Sequence, residues 1–100
     1  MVAPKIKMKA ILHKEFGGPE VLGVTNDVEI PQIEKHEVLI QVHAAGINRP
    51  DILQRSGGYP PPPGASEILG LEVSGEIVDV GEDVNKNLLN TKVCALVPGG

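Results

Sequence analysis

The chain has 100 residues and a formal net charge of −4, with 41% apolar, 22% charged and only 2% aromatic residues. This composition is typical of one soluble domain, and the chain is too short for two. Nine basic against 13 acidic residues leave no cationic surface for nucleic acid. No apolar run approaches the roughly 18 residues of a membrane span, and the lysine-rich start lacks the apolar segment of a signal peptide.

Cysteine usage narrows the expected compartment. Cys94 is the single cysteine, which excludes an internal disulfide and any zinc site built from several thiolates. A free cysteine agrees with a reducing compartment. We therefore expect a cytoplasmic protein with no membrane and no nucleic-acid partner.

Short runs rich in valine and isoleucine alternate with glycine, proline, asparagine and aspartate, a pattern that predicts a mainly β domain. In the first run, Met8, Ala10 and Leu12 share one face. The third run alternates most clearly and predicts that Val38, Ile40, Val42 and Ala44 point inward. The predicted strands cover residues 7–14, 21–30, 37–44, 73–81 and 92–97.

One short helix is predicted to begin at Pro50, because proline suits the first helical position. The residue before a proline avoids helical backbone angles, so Arg49 is the predicted cap and Asn48 precedes it in extended backbone. Asp51 is predicted to secure the helix start, because the helix dipole favours a carboxylate in the first turn.

The helix is predicted to turn Ile52 and Leu53 inward and to end at the glycine pair 57–58. The segment 56–66, SGGYPPPPGAS, predicts an irregular loop with polyproline character. Several strands, one helical turn and this loop predict a small, partly open β-barrel. The abrupt end after an apolar strand indicates a truncated chain.

No self-contained catalytic motif is present: the sequence has no HExxH, GxSxG, CxxC, P-loop or GxGxxG after a strand. The three histidines, His13, His36 and His43, are scattered and are interpreted as surface or structural residues. The acidic residues at 76, 79, 82 and 83 are interpreted as a solvated face.

Three stretches together resemble a known family. The opening KAILHKEFGGPEVL, the central AAGINRPDILQRSGGYPPPPGASEILGLEVSGEIVDVG and the closing VCALVPGG are similar to the start of zinc-free quinone oxidoreductases. These are the zeta-crystallin-like members of the medium-chain dehydrogenase/reductase superfamily, and the resemblance is nearest to their tumour-suppressor-inducible branch.

The resemblance implies that residues 1–100 are a GroES-like N-terminal catalytic domain, truncated before an α/β Rossmann domain that binds NADPH. It implies metal-free hydride transfer from the nicotinamide to a quinone, with the reaction cleft between the two domains. The fragment alone is expected to be inactive, and the full-length protein is expected to be a homodimer. An NADPH-dependent alkenal or enoyl reductase is the alternative within enzymes.

The same resemblance implies that zinc is absent. Zinc-dependent relatives carry cysteine at the position of Asn48 and histidine at the position of Leu71, within the triplet Gly70-Leu71-Glu72. Neither a carboxamide nor an isobutyl group replaces those donors. We predict a metal-free site.

Without a metal, a substrate carbonyl that gains negative charge needs hydrogen-bond donors. Asn48 and Tyr59 are the predicted catalytic residues, and Asn48, Asp51 and Tyr59 are the predicted cofactor-binding residues, by correspondence with the family. Some relatives carry a further aromatic residue on the helix where this chain has Gln54, which predicts a more open or more polar pocket.

Two alternatives come from outside the enzymes. A GroES-like barrel of this length could be a co-chaperonin or binding module, although four prolines stiffen the loop that would serve as its mobile loop. Pro60 and Pro63 formally match a Pro-x-x-P ligand, but no basic residue closely flanks them.

Overall fold

The computed structural model describes residues 7–98. The elements are, in chain order, strand β1 (Lys7–His13), a 3-10 turn (Pro19–Val21), β2 (Leu22–Glu29), β3 (Val38–Ala45), helix α1 (Arg49–Ser56), β4 (Glu72–Val80), a second 3-10 turn (Lys86–Leu88) and β5 (Lys92–Leu96). All five predicted strands are present, each with ends within one residue of the prediction. No helix within residues 7–98 is long and apolar enough to cross a bilayer.

The strands form two antiparallel sheets. β1 pairs with β2, and the register shifts between Met8 and Ala10. β4 is the central strand of the second sheet, with β3 on one side and β5 on the other. This mainly β arrangement with one α-helix among the described residues agrees with the predicted fold class.

The core is small. Ile77 on β4, 3% exposed, is the only large apolar side chain that is buried within residues 7–98. The predicted inward face of β3 is wrong for Val42 and Ala44, which are exposed. β3 carries two register irregularities against β4, one after Leu39 and one after Val42, and such irregularities break the two-residue period on which the prediction relied.

The start of α1 also differs from the prediction. Asn48, not Arg49, is the N-cap: its backbone is extended, with φ −127° and ψ 162°, and the helix begins at Arg49. The predicted cap was one residue late because Arg49 adopts helical geometry although Pro50 follows it, against the usual restriction on residues before proline. The extended backbone predicted for Asn48 is confirmed.

The buried face of α1 is polar. Ile52 and Leu53, predicted to face inward, are 39% and 37% exposed, whereas Asp51 and Gln54 are each only 7% exposed. Residues three apart share one face of a helix, and here both buried side chains are hydrogen-bonded. The helix ends at Gly57, whose φ of +94° is a left-handed conformation that favours glycine.

Candidate active site

The ends of β3 and β4 bring Asn48 and Glu72 together. The N–H of Gly46 donates to the carbonyl oxygen of Glu72 at 3.2 Å. The carboxamide Nδ2 of Asn48 donates to the carboxylate Oε1 of Glu72 at 3.1 Å. A side chain at position 46 would collide with the Glu72 carboxylate, so glycine there leaves room for this contact.

The hydrogen bond to Glu72 fixes the orientation of the Asn48 carboxamide, because only its nitrogen can donate to a carboxylate. A carboxamide nitrogen carries two hydrogens, and one is used by Glu72. No other described residue accepts from Nδ2, so one N–H is available to a ligand.

Asp51 holds the backbone beside this carboxamide. Its Oδ2 accepts from the backbone N–H of Asn48 at 2.9 Å, and its own N–H donates to the Asn48 carbonyl oxygen at 3.0 Å. Its Oδ1 is buried and has no hydrogen-bond partner among the described residues. The prediction that Asp51 secures the helix start is confirmed.

Tyr59 lies in the irregular loop after α1 and is 40% exposed. It lines a cavity of about 600 Å³, which we call the Phe16 pocket; the same cavity is lined by Leu12, His13, Phe16, Gln54 and Ile68 among others. Asn48 does not line this cavity. Within the described residues, the two predicted catalytic side chains therefore belong to different local surfaces.

Gln54 is a site residue whose anchoring role the sequence did not reveal. Its Nε2 donates to the backbone carbonyl oxygen of Glu67 at 3.0 Å, across 13 residues, and this bond ties the loop that carries Tyr59 back to α1. Because Gln54 also lines the Phe16 pocket, the cavity has a polar lining at this position. No local sequence signal marks Gln54 as buried, because its burial follows from how α1 packs.

Arg55 anchors the backbone next to Phe16. Its Nε donates to the carbonyl oxygen of Gly17 at 3.1 Å, and the N–H of Gly17 donates back to the Arg55 carbonyl oxygen at 3.0 Å. This reciprocal pair joins α1 to the segment after β1. Phe16 is consequently held close to the backbone of Gly57, where an added Cβ would lie 3.1 Å from the phenyl ring.

The donor set near Asn48 does not match a zinc site. The oxygen ligands nearby are the carboxylates of Asp51 and Glu72, and no group of three or more histidine, cysteine, aspartate or glutamate side chains with metal-binding geometry occurs within residues 7–98. Leu71 contributes no donor. Zinc sites need imidazole, thiolate or carboxylate ligands in a tetrahedral set.

The two sheets, the single α-helix and the loop that follows it define a GroES-like domain. The family model of the alcohol dehydrogenase GroES-like domain matches residues 34–98. The chain therefore belongs to the alcohol dehydrogenase GroES-like domain family, which confirms the resemblance drawn from the sequence motifs.

Individual relatives agree with this assignment. The quinone oxidoreductase of Lama guanicoe is 49% identical over 78 residues, which are 78% of this chain and 24% of the relative. The chloroplastic NADPH-dependent alkenal/one oxidoreductase of Arabidopsis thaliana is 34% identical over 82 aligned residues, covering 78% of this chain and 20% of the relative.

The fold of the chain also matches a solved enzyme. The structure of Escherichia coli quinone oxidoreductase complexed with NADPH has a TM-score of 0.66 and 35% identity, over 90% of this chain and 28% of that one. The chain thus spans about a quarter of the length of its relatives.

Proposed function

We propose that this chain is the N-terminal catalytic domain of an NADPH-dependent quinone oxidoreductase. In the reaction, NADPH and a proton reduce a quinone to a hydroquinone and leave NADP⁺. The observation that carries the proposal is the oriented Asn48 carboxamide, which has one N–H bound to Glu72 and one N–H available. Bound NADPH would supply the hydride, and the residues of this chain would orient and polarise the substrate.

Asn48 suits the polarising role. A quinone carbonyl gains negative charge as it accepts a hydride, and a preorganised N–H donor stabilises that charge more in the transition state than in the ground state. The amide is held from two sides, by the carboxylate of Glu72 and through the backbone contact with Asp51. Little reorganisation is therefore needed when charge develops.

Tyr59 is the second proposed donor, through its phenol hydroxyl. No described residue hydrogen-bonds to this hydroxyl, and the ring is partly exposed at the cavity. The anchoring of its loop by Gln54 lowers the ordering cost when a ligand binds. In the full enzyme we propose that Asn48 and Tyr59 contact the nicotinamide, and that Asp51, whose carboxylate is buried, contributes to cofactor binding by holding the backbone of Asn48.

The proposal includes a metal-free reaction, a Rossmann domain after this chain, a homodimeric full-length protein and a cytoplasmic location. The ligand chemistry at Asn48 and Leu71 supports the absence of zinc, because a carboxamide and an isobutyl group stand where zinc enzymes of this superfamily carry donors. NADPH as cofactor is supported by the bacterial quinone oxidoreductase complexed with NADPH.

A reductase of conjugated alkenals is the second candidate. The Arabidopsis alkenal/one oxidoreductase supports it, and the same N–H donors would polarise the carbonyl of an α,β-unsaturated aldehyde. The two candidates differ in where the hydride goes: a quinone gives a hydroquinone, whereas an alkenal gives a saturated aldehyde. Product analysis therefore separates them.

The test of the proposal uses the protein as its complete open reading frame encodes it. We expect NADPH oxidation that depends on an ortho-quinone, at a rate higher than with an alkenal and higher than with NADH. Pretreatment with a zinc chelator should leave the rate unchanged. No quinone-dependent oxidation of NADPH would refute the proposed reaction, and loss of the rate after chelation would refute the metal-free site.

The role of Tyr59 can be tested separately. We expect Tyr59→Phe to lower kcat for the quinone about 10- to 100-fold, because a hydrogen bond to developing charge is lost while the ring is kept. The thermal unfolding midpoint should not change, since the hydroxyl has no partner among the described residues. Equal kcat values for the two proteins would remove Tyr59 from the mechanism.

A further inference from the structure

The Phe16 pocket combines apolar walls with acceptor atoms. Its volume of about 600 Å³ lies within the range of small-molecule sites. Phe16 is 67% exposed in this structure and gives the pocket a flat apolar surface. Leu12 and Ile68 add aliphatic lining, and Pro60 and Pro61 add rigid rings. Such a surface suits a planar ring.

Gln54 supplies the first acceptor. Its carboxamide nitrogen is used by Glu67, which leaves the carboxamide oxygen without a donor among the described residues. Within residues 7–98, Oδ1 of Asp51 is the only buried side-chain nitrogen or oxygen without a hydrogen-bond partner. The Gln54 oxygen has no partner either, so it is not buried and retains contact with solvent. Because Gln54 is 7% exposed and lines the pocket, a ligand inside the pocket is the group best placed to donate to that oxygen.

His13 supplies the second acceptor. Its Nδ1 lies 3.2 Å from the carbonyl oxygen of Glu15, and a contact with a carbonyl oxygen requires that Nδ1 carries the hydrogen. In the neutral ring, Nε2 then has a free lone pair. The ring is also held against Phe16, with centroids 6.0 Å apart.

The charges at the pocket disfavour an anionic ligand. Lys14, Glu15 and Glu67 line the pocket, so negative charges outnumber positive charges there by two to one. An uncharged ligand avoids this imbalance, and a ligand with a hydrogen-bond donor satisfies the acceptors of Gln54 and His13.

We propose that the Phe16 pocket binds a flat, uncharged ring bearing a hydroxyl group, which donates to the carboxamide oxygen of Gln54. A phenol or a hydroquinone has this chemistry. A quinone cannot donate to Gln54, because its carbonyl oxygens only accept, although they can accept from the hydroxyl of Tyr59 in the same pocket. The inference deepens the proposed function and rests on it in part, because Tyr59 lines the same pocket and a hydroquinone is the product of the proposed reaction; the binding itself needs no nicotinamide.

The test is calorimetric titration of the protein, produced as its complete open reading frame encodes it, with 2-naphthol and with 2-methoxynaphthalene at neutral pH and without NADPH. The two probes share the ring system, but only 2-naphthol carries a donor. We expect 2-naphthol to bind about two to ten times more tightly, the value of one hydrogen bond. Equal affinities, or no binding of 2-naphthol, would overturn the proposal.

Two variants test whether the probes bind in the Phe16 pocket. Phe16→Ala should weaken both probes about fivefold or more because it removes the flat wall, whereas Val24→Ala should leave both affinities unchanged. The two side chains are matched in exposure, at 67% and 66%, and Val24 does not line the pocket. If Phe16→Ala binds both probes as tightly as Val24→Ala does, the ring of the probes does not lie in the Phe16 pocket.

Gln54→Met should abolish the preference for 2-naphthol, because the length of the side chain is kept while the acceptor is lost. A preference that survives in this variant contradicts the role of Gln54. Gln54→Met also loses the hydrogen bond to the carbonyl oxygen of Glu67, which could prevent folding. In that case the two probes on the unaltered protein and the Phe16→Ala variant still test the proposal. Turnover with NADPH is a separate measurement, so failure of the proposed reaction and failure of this pocket are distinguishable.

Discussion

Asn48→Asp is expected to lower kcat for quinone reduction about 100- to 1000-fold. Aspartate has the shape of asparagine, and its backbone N–H can still donate to Asp51. It replaces an N–H donor with an acceptor, however, and places a second carboxylate 3.1 Å from the position of Glu72 Oε1. The same negative charge would repel the oxyanion that forms on the substrate. Steady-state kinetics with a fixed quinone and saturating NADPH measures the effect.

Asn26→Asp is the matched control for this substitution. Asn26 is exposed on β2 and has no role in the site. The substitution makes the same chemical change there, so kcat should stay within about twofold of the unaltered protein. If Asn48→Asp and Asn26→Asp have the same kcat, the carboxamide of Asn48 does not take part in the reaction. Thermal unfolding midpoints of the two variants separate a catalytic loss from a folding defect.

The positions of the strands could be predicted from the sequence because local patterns determine them. Glycine, proline and asparagine bound each apolar run, and β4 (Glu72–Val80) was placed to within one residue. The direction of side chains was harder to predict. The bulge after Val42 depends on how β3 pairs with β4, and that pairing is a tertiary property.

The candidate site was predictable only in part. Its residue types pointed to hydrogen-bond donors instead of metal ligands, and the family resemblance identified Asn48. The contact of Asn48 with Glu72 spans 24 residues, and no local pattern indicates it. The sequence also did not predict that the buried face of α1 is polar. A helix of eight residues is too short for its periodicity to show whether Gln54 or Leu53 is buried.

Gly75→Ala is expected to lower the free energy of unfolding by roughly 3 kcal/mol, at the upper end of the usual cost of overpacking. Gly75 is buried in β4, opposite Val42 of β3 and Val93 of β5. An added Cβ would meet the backbone carbonyl oxygen of Gln41 and would lie 3.0 Å from Cγ2 of Ile40. Backbone atoms cannot rotate away as a flexible side chain can, so β3 itself must shift.

The shift would extend to the site, because β3 leads into Asn48 and β4 begins at Glu72. Gly23→Ala is the control: Gly23 lies in β2, and nothing is within 4 Å of a Cβ added there. This variant should be neutral or slightly stabilising, since alanine restricts the unfolded chain more than glycine does. Urea unfolding followed by circular dichroism measures both effects. Equal midpoints for Gly75→Ala and Gly23→Ala would mean that β3 and β4 can separate at Gly75 without cost, and the rigid framework proposed to hold the Asn48 carboxamide against Glu72 would then be wrong.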